Sequence, residues 1–420
     1  MLDHVSTSEG LPVLVIGAGV SGLLLAQQLR MSKIPFRIFE RDNDLLTRGV
    51  GWGLTLHWSL PALRQLLPQD LLAQLPQTYV DRAAVERGES STFPFFDLST
   101  GELKGSSPKA SEDQRVRVTR QRLRKLLATG IDIQWEKAFQ GFHEDDESVT
   151  AVFEDGTTCQ GQRIIGCDGS HSRVRRAVFP EGFANYQIPV RMFGFTMRVI
   201  KEQARPILDL DPFFLQGTAS ANDTFMYISL LESPDRVEPI IDDTYTYQIC
   251  ISANTNTSAL NQLLNKAVAS TSKERIDIIK QVARDWAEPF CSFVSLIPDT
   301  TDVKQLDIDD FPPSSGKHGS ERVLLVGDAS HAMTMYRGEG ANHAIVDILD
   351  FKEKILPQLH SSDSTALQSN ICQFRDGVIA RTRPAVLASR QACLDAHDWH
   401  GLSASSPLLT RRQMILNFDG

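Results

Sequence analysis

Paired cysteines are missing from this chain. Its six cysteines (Cys159, Cys167, Cys250, Cys291, Cys372, Cys393) are scattered through 420 residues, with no C-x-x-C pair. That spacing gives no support to a disulfide framework or a metal site, and it fits free thiols in a reducing compartment. Long apolar runs are missing too, so no membrane span is expected. The first ten residues are polar and acidic and lack the basic and apolar regions of a signal peptide, which points to a cytoplasmic protein. Surplus positive charge is also lacking: the net charge is −9, and no basic stripe with interleaved aromatics appears, so nucleic acid is not an expected partner. No internal repeat is visible, and nothing in the composition fixes the oligomeric state. What remains is an ordinary globular composition, long enough for two or three domains and a large core.

The most informative stretch is Leu11–Asp42. Val13-Leu14-Val15-Ile16 reads as a fully buried parallel strand. It breaks into Gly17-Ala18-Gly19-Val20-Ser21-Gly22, then a helix from Leu23 to Met31, then a second strand, Phe36–Phe39, ending at Glu40. Gly17 makes the tight turn, Gly19 admits a pyrophosphate to the backbone, and Gly22 lets helix pack on sheet. The phosphates would meet the unpaired N–H groups and the positive dipole end of the helix. Glu40 is placed to accept hydrogen bonds from an adenosine ribose. This is a dinucleotide site, with NAD, NADP and FAD all open.

Further along, Thr47–Gly53 is glycine-rich, and Gly53 is a candidate for close approach to a flat ligand. Leu54–Leu56 is a short strand and Leu60–Leu67 a helix, with His57 and Trp58 between them. Residues 90–111 read as a loop or short irregular strands. Val116 and Val118 alternate with Arg115 and Arg117 as a strand, and Thr119 is expected to cap the helix Gln121–Ala128. Arg120 stands at that turn as either a phosphate or ribose contact or a solvated charge. Ile131–Trp135 alternates as a strand, and Val149–Phe153 with the turn Glu154–Thr157 gives a small antiparallel meander. Arg163–Cys167 returns to a buried strand that ends in the ligand-type loop Asp168–Arg175.

From Val190 to Ser252 alternating strands predict a β-rich region. Leu260–Trp286 is helical in two pieces, split near Ser270–Ser272. A last buried strand, Arg322–Asp328, leads through Ala329-Ser330-His331 into Tyr336–Asn342 and a helix that Pro357 stops. Leu367–Trp399 reads as helical and interrupted at Pro384.

Three ligand-type loops therefore fall at strand ends, at residues 17–22, 168–175 and 327–342. In this order they resemble the class A FAD-dependent monooxygenases, the family of salicylate and 4-hydroxybenzoate hydroxylases. The first motif is GAGVSG with Glu40. The second is Cys167-Asp168-Gly169 with Ser172, Val174 and Arg175. The third is Gly327-Asp328-Ala329-Ser330-His331 with Gly338-Glu339-Gly340-Ala341-Asn342. The resemblance implies an α/β fold: a Rossmann-like FAD-binding domain with a parallel sheet and a small β-meander, a β-rich substrate domain, and C-terminal helices. The FAD-binding domain would span 1–185 and 299–357, the substrate domain 186–298, and the helical segment 358–420.

The implied cofactor residues are Gly17, Gly19, Gly22, Glu40, Arg41, Gly53, Arg120, Asp168, Asp328, Gly338, Gly340, Ala341 and Asn342. Among them, Asp328 would bind the flavin ribitol, and the Gly340 helix would face the negative N1–C2=O edge of reduced flavin. Two positions depart from the family pattern: Met335 stands where Pro is usual, and Asp347-Ile348 where the family has Asp-Ala. The implied cycle uses NADPH or NADH to reduce FAD. O₂ then adds at flavin C4a, and one oxygen passes to a small aromatic or polyketide-like molecule by hydroxylation or epoxidation. Arg191 and Tyr227 are the candidate catalytic residues for the substrate oxyanion, with His57 and Tyr336 as outsiders. The rival reading is a non-redox flavoprotein of the same fold acting as a binding or isomerising module.

Overall fold

In the computed structural model, residues 10–47, 51–234, 243–256, 271–314, 319–360 and 364–418 are described. The apolar run Val13–Ile16 becomes the centre of a five-stranded parallel sheet, flanked by Arg163–Gly166 and then Val323–Leu325 on one side. On the other side lie Phe36–Phe39 and Ile133–Gln134. Residues 13–16 are all buried, as expected for a strand covered on both faces. Helix Val20–Met31 buries Leu23, Leu24, Leu25 and Leu29 in the main core. The opposite face, through Leu14, Ile16 and Phe39, packs against the meander Phe139–Glu144, Val149–Phe153 and Thr158–Gly161.

A seven-stranded sheet forms the second layer system. Its order is Lys304–Asp310, Tyr186–Ile200, Thr244–Asn254, Phe225–Glu232, Phe214–Thr218, Phe95–Asp97 and Leu103–Gly105. It thus recruits strands from outside the 186–298 block, from residues 95–105 and 304–310. A separate two-stranded ribbon pairs Gly53–Leu56 with Val116–Thr119 and sets Thr55 opposite Arg117. Gly53 N–H donates to Gln248 Oε1 at 3.0 Å, tying that ribbon to the larger sheet.

Two local expectations give way. Thr119 does not cap the helix Arg120–Leu127; its hydroxyl donates instead to the Leu231 carbonyl at 2.9 Å. Pro384 does not interrupt the last helix, which runs from Ser364 to Asp395. Val378, Ala385, Val386 and Ala388 are buried around it, so packing carries the helix past the missing N–H. Of the two predicted helical pieces before Trp286, the second is Ser272–Ala283, and residues 260–269 lie outside the described residues. No described helix is long and apolar enough to cross a membrane.

Candidate functional site

Strand ends and helix starts from both sheets converge on one cavity of about 530 Å³. From the parallel-sheet side its wall includes Gly17, Gly19, Glu40, Arg41, Arg120, Asp168 and Asp328, with Gly338, Gly340 and Ala341. From the second sheet and its ribbon come Gly53, Thr55, Arg117, Met192, Phe214 and Tyr227. Gly22, Asn342 and Arg191 are not in that wall.

Gly17 holds φ +104°, and a Cβ there would lie 2.5 Å from the Cys167 carbonyl oxygen, so only glycine fits. A Cβ on Gly22 would lie 1.9 Å from the Gly17 carbonyl oxygen, which is the close helix–strand approach read from the motif. Gly19 faces open space. The helix that follows has no side-chain cap and no acidic residue in its first turn. Its first N–H groups and positive dipole end are thus left for an outside anion. Helix Gly340–Lys354 starts in the same way, uncapped and without an acid in its first turn.

Acceptors complete that wall. Glu40 is 5% exposed; its Oε2 accepts from Ala18 N–H at 2.9 Å and lies 3.5 Å from Arg124 Nη2. Asp328 opens to the cavity but lies deep in the fold. Burial raises its carboxyl pKa against the pull of His331 and Arg120. Two uncapped helix starts, a cradle that excludes side chains, and acidic acceptors between them fit a group with a pyrophosphate and hydroxyls, as FAD has.

Asp168 has a second job. It accepts from Ser172 Oγ at 2.5 Å and from Arg173 N–H at 2.7 Å, so it also fastens the start of helix Arg173–Val178. Asn342, fully buried, is a tie within the protein: it accepts from His57 N–H and Ser59 Oγ and donates to the Thr55 carbonyl. Its position in the motif suggested the cofactor; its four local partners occupy it instead.

Behind the Gly327 turn lies a charged network that the sequence did not reveal. Asp347 Oδ2 accepts from Gly327 N–H and meets His331 Nε2, both at 2.7 Å, while its Oδ1 takes Arg381 Nη2 at 2.7 Å. Burial alone would raise the Asp347 carboxyl, but His331 and Arg381 together hold it well below the usual range. The family-variant pair Asp347-Ile348 therefore keeps a structural carboxylate, with Ile348 in the main core.

On the facing wall Arg117 is 6% exposed. Its Nε donates to Ser229 Oγ at 2.8 Å, Nη1 to Thr55 Oγ1 at 2.7 Å and Nη2 to the Tyr227 hydroxyl at 2.7 Å. No carboxylate ion-pairs with it among the described residues. Because Thr55 and Tyr227 accept from a group that can only donate, each keeps its own O–H to offer elsewhere. Both line the cavity, so each hydroxyl proton is available to an acceptor there.

Arg191 is placed differently. Met192, its neighbour on the strand, faces the cavity, and alternation puts Arg191 on the other face, opposite Asp307 in register. Tyr336 lines the cavity, but its hydroxyl bonds Ser252 Oγ at 2.8 Å inside the core, and Ser252 in turn meets His397. His57 also lines the cavity; burial first, then Arg412, Arg115 and Arg337, push its pKa down to about 3, so it is neutral there. Sequence reasoning missed Arg117 and Thr55 as site residues. The available signal was a cation alternating with valines on a strand, which also describes any half-exposed edge.

Comparison with known proteins shows the family and the fold. The family model described as FAD binding domain matches residues 10–370. A protein of Arthroderma benhamiae named "Probable FAD-dependent monooxygenase" is 42% identical over 97% of this chain and 96% of its own. The FAD-dependent monooxygenase dbaB of Emericella nidulans is 35% identical over 83% of this chain and 88% of its own. Among solved structures, 2,6-dihydroxypyridine-3-hydroxylase from Arthrobacter nicotinovorans shares the fold with TM-score 0.74 and 18% identity, over 98% of this chain and 99% of that one. Klebsiella pneumoniae HpxO, complexed with FAD and uric acid, does so with TM-score 0.69 and 18% identity, over 95% and 92%. The chain belongs to the FAD-dependent monooxygenases.

Proposed function

We propose that the protein takes electrons from NADPH or NADH and uses O₂ to hydroxylate or epoxidise a small aromatic or polyketide-like molecule in this cavity. The observation that carries the reading is that a single cavity joins the uncapped helix starts to the Arg117–Tyr227–Thr55 cluster. When bound, FAD supplies the hydride acceptance and oxygen activation that no side chain here can supply. The chain's own residues position the partners. Backbone N–H groups after Gly17 and Gly19 would hold the pyrophosphate, Glu40 and Arg41 the adenosine ribose, and Arg120 and Asp328 the polar chain between. Gly53, Gly338, Gly340 and Ala341 would let backbone approach the ring.

On the substrate side, Tyr227 and Thr55 donate to the substrate's oxygen, and Arg117 behind them favours its ionised form. For a phenol, that charge makes the ring carbon a better nucleophile towards oxygen. Closing such a centre from water protects the oxidant, and the Met333–Arg337 turn that lines the cavity contributes that cover. The test is a purified yellow protein mixed with NADPH or NADH and a panel of hydroxylated aromatics in air. Nicotinamide oxidation with an oxygenated product is expected. Flavin that neither nicotinamide reduces would overturn the proposal in favour of a non-redox flavoprotein.

A further inference from the structure

A second cavity, of about 260 Å³, adjoins the first at the Arg117 cluster. Its inner end is apolar and buried, formed by Val116, Phe213 and Phe214. Glu86, Gly88, Ser111 and Glu112 also line it and are exposed, so at that end it meets solvent. Thr55, Arg117 and Phe214 line both cavities. One layer of side chains therefore separates a cleft that starts at the surface from the space in front of Tyr227.

The members of that layer are held unequally. Arg117 is fixed by hydrogen bonds from all three of its nitrogens, and Thr55 is one of their acceptors. Phe214 has ring contacts instead. Its centroid lies 4.6 Å from that of Phe93, edge to face, 5.5 Å from that of Tyr227, and 5.5 Å from Arg117 Cζ. Phe93 in turn is set by its loop, where Asp211 Oδ2 accepts from Thr92 N–H at 2.8 Å and from Ser91 Oγ at 3.1 Å. The Phe93 backbone stands at φ +50°, a region that a residue with a side chain enters only when its surroundings impose it. Phe214 is thus the member of the layer that can turn aside without breaking a hydrogen bond.

Resting on the proposed function, we infer that the second cavity is the passage by which the aromatic substrate reaches the Arg117 cluster and the product leaves, with the Phe214 ring as its gate. The parallel-sheet side of the first cavity is the side whose residues fit FAD, so a route through the opposite side stays open while the cofactor is resident. Val116, Phe213 and Phe214 suit an uncharged ring in transit. Thr55 and Arg117 stand at the inner end, so the polar groups a phenol meets there belong to the cluster that holds its oxygen. A passage differs from an added binding subsite in what it changes. It sets the barrier to entry and exit alike and leaves the equilibrium between free and bound ligand where it was.

The test uses the FAD-loaded full chain and 2-naphthol, with association and dissociation rates and Kd read from perturbation of the flavin absorbance by stopped flow and titration. Ala110→Trp and Ser111→Trp add an indole at two positions that line the second cavity and not the first. Lys109→Trp, the adjoining exposed position outside both walls, is the control. The two cavity variants are expected to slow entry and exit together by ~10-fold or more, with Kd and flavin content unchanged, while Lys109→Trp matches the wild type. Phe214→Ala should raise both rates, and rates that do not rise would remove Phe214 as the gate. Three outcomes overturn the passage: wild-type rates in both cavity variants, the same slowing in Lys109→Trp, or a weaker Kd carried by faster exit alone, which would make the cavity a binding subsite. Failure of the proposed function reads differently, as a wild-type flavin that nicotinamide does not reduce.

Discussion

On the parallel-sheet side of the cavity Asp347 meets His331 and Arg381, and Glu40 meets Arg124. Across from them, among the described residues, Arg117 and Arg412 hydrogen-bond only to hydroxyls and carbonyls. The ion pairs behind the first wall are therefore complete within the protein, and that wall offers a ligand backbone N–H groups and acceptors already held in place. The second keeps uncompensated cations, so an anion arriving there completes pairs that folding left open. A resident cofactor suits the first arrangement; a ligand chosen anew at each turnover suits the second.

The sharpest way to break this contrast is to unbalance the finished wall. Asp347→Ala would leave Arg381 with only the longer carboxylate contact, to Asp350 at 3.3 Å, His331 without its acid and the Gly327 N–H without its acceptor. A loss of about 3–5 kcal/mol in stability is expected, measured by denaturant unfolding. The pH dependence has a fixed sign. The folded-state Asp347 carboxyl is held below its unfolded value of about 3.9, so its contribution is complete above that pH and is lost as pH falls below it. The gap between wild type and variant should accordingly narrow on acidification; a gap that stays constant down to pH 3 would contradict the network.

Unbalancing the open wall should leave folding alone and reach the ligand. Arg117→Met removes a buried cation that has no acid partner, so stability should change little or improve. Substrate affinity should fall by roughly 10- to 100-fold, the worth of about 1.5–3 kcal/mol for a charged hydrogen-bonding group, with flavin content intact. A protein that loses its flavin instead would place Arg117 on the cofactor side. Tyr227→Phe is the milder version: it removes one neutral donor and should weaken binding by about tenfold or less, measured by the same flavin titration.

How far the two walls were legible in the sequence follows from the same contrast. The cofactor wall is built from contiguous chain: Gly17 and Gly22 meet geometric demands that only glycine satisfies, and strand, turn and helix stand in order around them. Two of its parallel strands, Val13–Ile16 and Val323–Leu325, read directly as apolar runs. The substrate wall is assembled from side chains that the sheets bring together from residues 55, 117, 227 and 412, and no spacing marks such a set. The seven-stranded sheet shows the same limit, because Phe95–Asp97 and Lys304–Asp310 join it through pairings distant in sequence. Pro384 and Thr119 were misread for a related reason: local preference gave way to tertiary packing and to a long-range hydrogen bond.

Arg191 offers the smallest effect and the finest distinction. Like Arg117 it is a cation on a strand, and chemistry alone would give both the same role. The structure separates them by one step of alternation. Met192 takes the cavity face, and Arg191 stands on the reverse face beside Phe193 and its apolar neighbours, in register with Asp307. Arg191→Met should therefore change substrate affinity by less than about twofold. Measured beside Arg117→Met in one titration, the pair isolates position from charge. An affinity loss at Arg191 as large as that at Arg117 would mean that the field of the whole wall, rather than contact in the cavity, holds the anion.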